Sequence, residues 1–284
     1  MQLAYVGRTL EQVTVTGPRT VRRHSPSVLS ELTGSVLAEV GRHGKYLLFK
    51  WRSGQVLVAH LRMSGQLLAA EDAAPFPPHT HAVLAFKGAG QLRFVDPRTF
   101  GELFLGSAAV AGEPAGKPSG RAGGRVARGA QDGGTTGIEE LAHLGPDALD
   151  IEPAYLSEAF AGKRAPLKAV LVDQRVLAGV GNIYADEICY DARLRPERPA
   201  GSLARSQVRR LGGSIRSVLE AAIVDRGSSL RDRQYLDLEG QAGRYQAEHK
   251  VYGRAGQACT VCGAPVERLR FGARSAFACC ACQR

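Results

Sequence analysis

The chain has no run of 18 or more apolar residues, which excludes a transmembrane helix. Its first residues, Met1-Gln2-Leu3-Ala4-Tyr5-Val6, lack the basic stretch and long apolar run of a secretory signal. These absences point to the cytoplasm, where thiols stay reduced. Cysteine is scarce until the end of the chain: of six, only Cys189 precedes the last 26 residues. Acidic residues are in the minority, 27 against 37 Lys and Arg, leaving a formal charge of +10. A pI near 9.6 is unusual for an enzyme of small anionic metabolites and points to a polyanion, most simply nucleic acid. What remains is ordinary for a globular protein, with 44% hydrophobic and 23% charged residues. At 284 residues the chain suits one large domain or two to three small ones.

Residues 6–106 read as β-rich. Val13-Thr14-Val15, Tyr46 to Trp51, Val56 to Leu61 and Ala82 to Phe86 are of strand length, separated by turn signals such as Arg52-Ser53-Gly54 and Asp96-Pro97. Many short strands close together favour a sandwich or barrel. Residues 107–137 are rich in Gly, Ala and Pro without aromatic residues or periodicity, and read as a flexible insertion or linker. Residues 138–248 read as a helical domain; Leu167, Val170 and Leu171 share one face, as do Val208, Leu211, Ile215, Val218 and Leu219. Within it, residues 227–248 read as a polar loop. Residues 249–284 form a compact cysteine-rich tail.

In that tail Cys259 and Cys262 are followed, after 16 residues, by Cys279-Cys280-Ala281-Cys282. Two Cys-x-x-Cys units at this separation match a four-cysteine zinc ribbon with Cys259, Cys262, Cys279 and Cys282 as ligands. Cys280 is the surplus thiol. A site closed by four thiolates leaves no position for water, so the metal folds the tail rather than catalysing. Between the knuckles, Arg268 to Phe277 reads as a hairpin with arginines at its tip, able to fork phosphate oxygens.

Further motifs are Gly44-Lys45-Tyr46-Leu47-Leu48, His60-Leu61-Arg62-Met63-Ser64-Gly65, Asp96-Pro97-Arg98-Thr99-Phe100-Gly101, Gly179-Val180-Gly181-Asn182-Ile183-Tyr184-Ala185 and Val251-Tyr252-Gly253-Arg254. Together with the ribbon and its Gly272-Ala273-Arg274 tip, and in this order, they resemble the bacterial formamidopyrimidine-DNA glycosylases, with the endonuclease VIII-like enzymes as near relatives. The resemblance spans residues 6–106 and 138–284. It implies an α+β multidomain protein with an N-terminal β-sandwich, a helix–two-turns–helix domain and a C-terminal four-cysteine zinc ribbon. It further implies base-excision repair, in which oxidised purines are flipped out of double-stranded DNA and excised and the abasic site is cleaved. The expected partner is therefore DNA carrying oxidised bases or abasic sites, met by a monomer with one structural Zn²⁺ at the bacterial nucleoid.

The same resemblance implies roles residue by residue. Met63, Arg98 and Phe100 match the side chains that fill the hole left by a flipped nucleotide. Asn182, at a helix N-terminus that favours phosphate, His79, Arg164 and Lys168 match contacts to the DNA backbone. Lys45 matches an active-site lysine assigned to proton transfer in β-elimination, and Arg274 the hairpin arginine assigned to δ-elimination. Thr99 stands where an arginine is common, and Arg244 where the loop over the flipped base would carry an aromatic residue.

The family's nucleophile is the amine of an N-terminal proline, followed by a glutamate that handles protons. This sequence starts Met1-Gln2-Leu3, which aligns to the end of the family's first helix. Three readings follow: the gene model starts too late and the enzyme is active; the chain is a catalytically silent damaged-DNA-binding paralogue; or Lys45 forms the Schiff base. A zinc-ribbon translation or transcription factor is a different class, and the Asp96-Pro97-Arg98 and Gly181-Asn182 motifs argue against it.

Overall fold

A computed structural model describes residues 2–107, 137–229, 235–271 and 274–284. The expected insertion therefore lies outside the described residues except at its edges, as does the centre of the 227–248 loop. No helix among the described residues is long and apolar enough to cross a membrane.

The first lobe is a β-sandwich. After a short helix α1 (Gln2–Tyr5) come β1 (Leu10–Val15), β2 (Leu37–His43), β3 (Tyr46–Trp51), β4 (Val56–His60), β5 (Gln66–Ala70), β6 (Thr80–Phe86), β7 (Gly90–Val95) and β8 (Glu102–Gly106). They form two four-stranded sheets, in the orders β1-β6-β7-β5 and β2-β3-β4-β8, with every pairing antiparallel. Alternate residues of each strand point between the sheets, and there Leu10, Leu37, Phe49, Leu84, Phe94 and Leu103 are buried. Trp51 from one sheet stacks on Phe86 from the other, with ring centres 6.0 Å apart. Tyr5 of α1 closes this core against Phe86 and donates its hydroxyl to the Gln91 carbonyl at 2.7 Å.

β3 and β4 lack strict apolar–polar alternation because both their faces are covered. Tyr46, Leu48, Val58 and Phe104 form a second cluster on the far face, capped by Ile138 and Leu141. Those two residues pack on the sandwich, although the sequence reading groups them with the helical domain.

The second lobe holds α2 (Pro153–Phe160), α3 (Leu167–Leu171), α4 (Asn182–Asp191) and α5 (Arg205–Val224). Pro153 occupies the first helical position of α2, where its missing N–H costs nothing. The buried stripe of α5 is Val208, Leu211, Ile215, Val218 and Ala222, and Gln207 reaches back to accept the Ala204 N–H at 3.0 Å. The ribbon follows as a hairpin of β9 (Glu267–Phe271) and β10 (Arg274–Ala278). It docks on α4, and just past that helix the Leu194 carbonyl accepts the Gln283 side-chain amide at 2.9 Å.

Candidate nucleic-acid interface

The two lobes meet at the turn between β2 and β3. Gly44 there has φ +57°, and a Cβ on it would stand 2.8 Å from the Ala178 Cβ, so only glycine lets the backbones approach. Its N–H donates to Asp147 Oδ2 at 2.6 Å. Arg42 grips the same carboxylate with both guanidinium nitrogens, at 2.5 and 2.9 Å. Burial opposes ionisation of Asp147, but Arg42 and the amides of Gly44 and Leu149 hold it below the usual carboxylate range. His43 Nε2 meets the Gly145 carbonyl at 3.0 Å. This clasp sets the exposed Lys45 over the second lobe, its Nζ 3.5 Å from where a Cβ on Gly181 would be.

Gly181 is the N-cap of α4, and Asn182 is the helix's first residue. The turn before it is held by Gln174, which accepts the Gly179 N–H at 3.0 Å and donates to the Val180 carbonyl at 2.9 Å. A ten-residue helix presents its leading N–H groups and positive dipole end here, beside the Lys45 ammonium. Asn182 Oδ1 is buried without a hydrogen-bond partner among the described residues.

Met63 and Phe100 stand out of the sandwich, 67% and 47% exposed. Neither is a core position at this exposure. Arg98 and His79 are exposed as well. The Met63 loop is tied down by Arg62, whose guanidinium pairs with the buried Glu102 at 2.9 Å and whose N–H donates to His60 Nδ1 at 2.9 Å. Arg164 is exposed in the connection from α2 to α3. Arg274 opens β10, and its neighbours Gly272 and Ala273 lie outside the described residues.

Lys168 departs from expectation. It is 2% exposed, pairs with Asp186 Oδ1 at 2.7 Å and donates to the Ser275 carbonyl at 2.6 Å. Its ammonium is spent inside the protein, joining α3, α4 and β10, so it positions elements rather than touching a DNA backbone. In the ribbon the Sγ atoms of Cys259, Cys262, Cys279 and Cys282 lie within 4.8 Å of one another. The Cys259–Cys282 and Cys262–Cys279 separations are 3.9 and 3.4 Å. A tetrahedral ion bonded to sulfur at about 2.3 Å needs S···S edges of roughly 3.8 Å, so the four donors fit a metal. Cys280 is not in the set.

His60 carries a pH prediction. Burial, reinforced by the Arg62 charge, brings its imidazole down from 6.5 to about 4. Below pH 6.5 the unfolded chain takes up a proton that the folded chain refuses, so stability falls as pH drops toward 4. The expected loss by pH 5 is about 2 kcal/mol, read as a shift in urea midpoint between pH 7.5 and 5. His60→Asn should flatten that dependence; an unchanged slope would show that the imidazole titrates normally.

Two lobes, a sandwich and a helical domain, and a metal-ready ribbon make up the described residues, with Lys45 over the N-terminus of α4 and with Met63 and Phe100 exposed. Residues 1–103 match the model of the formamidopyrimidine-DNA glycosylase N-terminal domain, and residues 144–234 match that of its H2TH domain. A formamidopyrimidine-DNA glycosylase from Moorella thermoacetica is 41% identical over 266 residues, covering 92% of this chain and 87% of the relative. One from Acidothermus cellulolyticus is 39% identical, covering 98% and 91%. The crystal structure of MutM (Fpg) from Thermus thermophilus superposes with a TM-score of 0.78 at 37% identity, covering 99% of this chain and 94% of that one. Lactococcus lactis Fpg in complex with DNA containing an abasic site superposes at 0.80 with 28% identity, covering 100% and 95%. The chain belongs to the formamidopyrimidine-DNA glycosylase family.

The residues that sequence reasoning missed are mostly acids. Asp147 and Asp186 are buried anchors, and so is Glu187, which accepts the N–H groups of Lys250, Val251 and Tyr252 at 2.8–3.1 Å. Asp186 and Glu187 leave one signal in the sequence, two adjacent acids set between the apolar Ala185 and Ile188-Cys189 in α4.

Proposed function

We propose that this protein is a base-excision-repair DNA glycosylase with abasic-site lyase activity, acting on double-stranded DNA that carries oxidised purines or abasic sites. The carrying observation is that Lys45 of the sandwich is clasped against the N-terminus of α4, so groups from both lobes converge on one phosphate-binding point. Phosphates of the lesion strand dock on the α4 amides and Asn182, with His79 and Arg164 along the backbone. Met63, Arg98 and Phe100 enter the stack and take the place of the flipped nucleotide.

Once the base is gone, an amine attacks C1′ of the sugar and a Schiff base forms with loss of water. Lys45 then moves the proton in β-elimination, and Arg274 grips the phosphates for δ-elimination. The resemblance gives the attacking amine to an N-terminal proline, and residues 1 and 2 of this sequence are Met and Gln. Cys259, Cys262, Cys279 and Cys282 hold one Zn²⁺, which supplies the folded base of the Arg274 hairpin and no chemistry. The working units are residues 1–106, 138–248 and 249–284, acting as a monomer on the bacterial nucleoid.

Borohydride trapping on abasic-site duplex tests the reading. A covalent adduct is expected, and peptide mapping of it names the amine; absence of any adduct contradicts lyase chemistry. Binding should also weaken steeply with salt, because each phosphate contact releases counterions. Asn182→Ala should lower the affinity for an abasic-site duplex about tenfold, the size of one charge-assisted hydrogen bond. A flat salt response would remove the phosphate contacts from the account.

A further inference from the structure

One buried acid hydrogen-bonds each of the segments that carry Met63, His79, Arg98 and Phe100. Asp96 follows β7 and is fully buried. Its Oδ1 accepts the Ser64 hydroxyl at 2.5 Å and the Arg98 N–H at 3.2 Å. Its Oδ2 accepts the Gly101 N–H at 2.7 Å. Its main chain does the same work: the N–H donates to the His79 carbonyl at 3.0 Å, and the carbonyl accepts from Thr99 N at 3.2 Å and His81 Nε2 at 2.8 Å. Ser64 adjoins Met63, and Gly101 adjoins Phe100. The 61–65 loop and the 97–101 loop are far apart in sequence, and this carboxylate bonds both.

Two further features mark these loops as held rather than loose. Arg62, Thr99 and His79 have φ of 54°, 53° and 66°, a left-handed conformation that non-glycine residues keep only where surroundings enforce it. Each loop also closes on a glycine with no room for a side chain. A Cβ on Gly65 would stand 2.6 Å from the Leu61 carbonyl oxygen, and one on Gly101 would stand 2.6 Å from Phe94 Cζ. The backbone of both loops is therefore constrained, and Asp96 is where they are joined.

We propose that Asp96 is the positioning residue of lesion recognition: through Ser64 on one side and the Arg98 and Gly101 amides on the other, it fixes Met63, Arg98 and Phe100 relative to one another before DNA arrives. This rests on the damaged-DNA reading above. Two apolar wedges and one donor must enter a single vacated base position together, and a preset spacing removes the ordering cost that independent loops would incur on binding. Undamaged duplex offers no such void, and its binding depends on phosphate contacts that Asp96 does not make.

The test uses the full chain with an abasic-site duplex carrying 2-aminopurine opposite the lesion, and an undamaged duplex of the same sequence. Ser64→Ala removes the bridge to the Met63 loop and leaves Asp96 its two amide donors; Ser64→Thr keeps the hydroxyl. The expected result is about a tenfold loss of the abasic-over-undamaged affinity ratio in Ser64→Ala, with a smaller 2-aminopurine response, in a protein that stays folded and melts only a few degrees lower for the lost hydrogen bond. Ser64→Thr should restore both. Asp96→Asn should lose at least as much, since an amide group cannot accept on both sides; if that variant does not fold, Ser64→Ala decides alone. A wild-type ratio retained in Ser64→Ala would overturn the proposal. A wild-type protein with no preference for the abasic duplex would instead overturn the functional reading on which it rests.

Discussion

Asp186→Ala should destabilise the protein by about 3–5 kcal/mol, the usual cost of stranding one member of a buried ion pair. Lys168 is 2% exposed and would keep its ammonium without a counter-charge. The damage spreads, because Asp186 also accepts the Phe277 N–H at 3.1 Å and Lys168 donates to the Ser275 carbonyl. One deletion thus loosens α3, α4 and β10 from each other. Burial pushes the Asp186 carboxyl above its usual range, opposed by Lys168. Lys168→Met should accordingly cost less, since the remaining acid can take up a proton. The double variant Lys168→Met/Asp186→Leu should recover most of the loss. Urea unfolding of the three variants gives the numbers, and a loss below about 1 kcal/mol in Asp186→Ala would mean that water reaches the pair.

Loss of the metal should have a still larger local effect. Structural zinc sites supply roughly 10–16 kcal/mol of apparent binding free energy, which in a small metal domain is folding free energy. The ribbon's apolar cluster is small, with Val251, Cys259, Val266 and Cys279 as its buried members, and two of those belong to the four-cysteine set. Cys279→Ser, or a strong chelator, should therefore unfold residues 249–284 and remove Arg274 from the interface. One zinc per chain by elemental analysis, lost in Cys279→Ser and kept in Cys280→Ser, is the expected pattern. Zinc lost equally in both would put Cys280 among the ligands.

The four-cysteine cluster was legible in the sequence because its members come in two local pairs, Cys259 with Cys262 and Cys279 with Cys282. The sandwich was legible through short strands between turn signals, and the exposure of Met63 through its polar neighbours Arg62 and Ser64. What stayed hidden are partners far apart in the chain. Nothing near Arg42 announces Asp147, 105 residues later, and nothing near Lys168 announces Ser275, 107 residues later. Lys168 lies off the apolar stripe of α3, which reads as a surface position. That helix is only five residues long, and α4 and β10 cover the face its sequence leaves open. Asp96 sat inside a quoted motif without a role, because its work is to accept hydrogen bonds from loops that converge only in the fold.

Recognition of the gap that a damaged base leaves in a duplex is the core of the proposed function. Its most direct test is fluorescence anisotropy at one salt concentration, comparing an abasic-site duplex with an undamaged duplex of identical sequence. The account predicts at least about a tenfold preference for the abasic duplex, or 1.4 kcal/mol. Equal affinity for the two would contradict it.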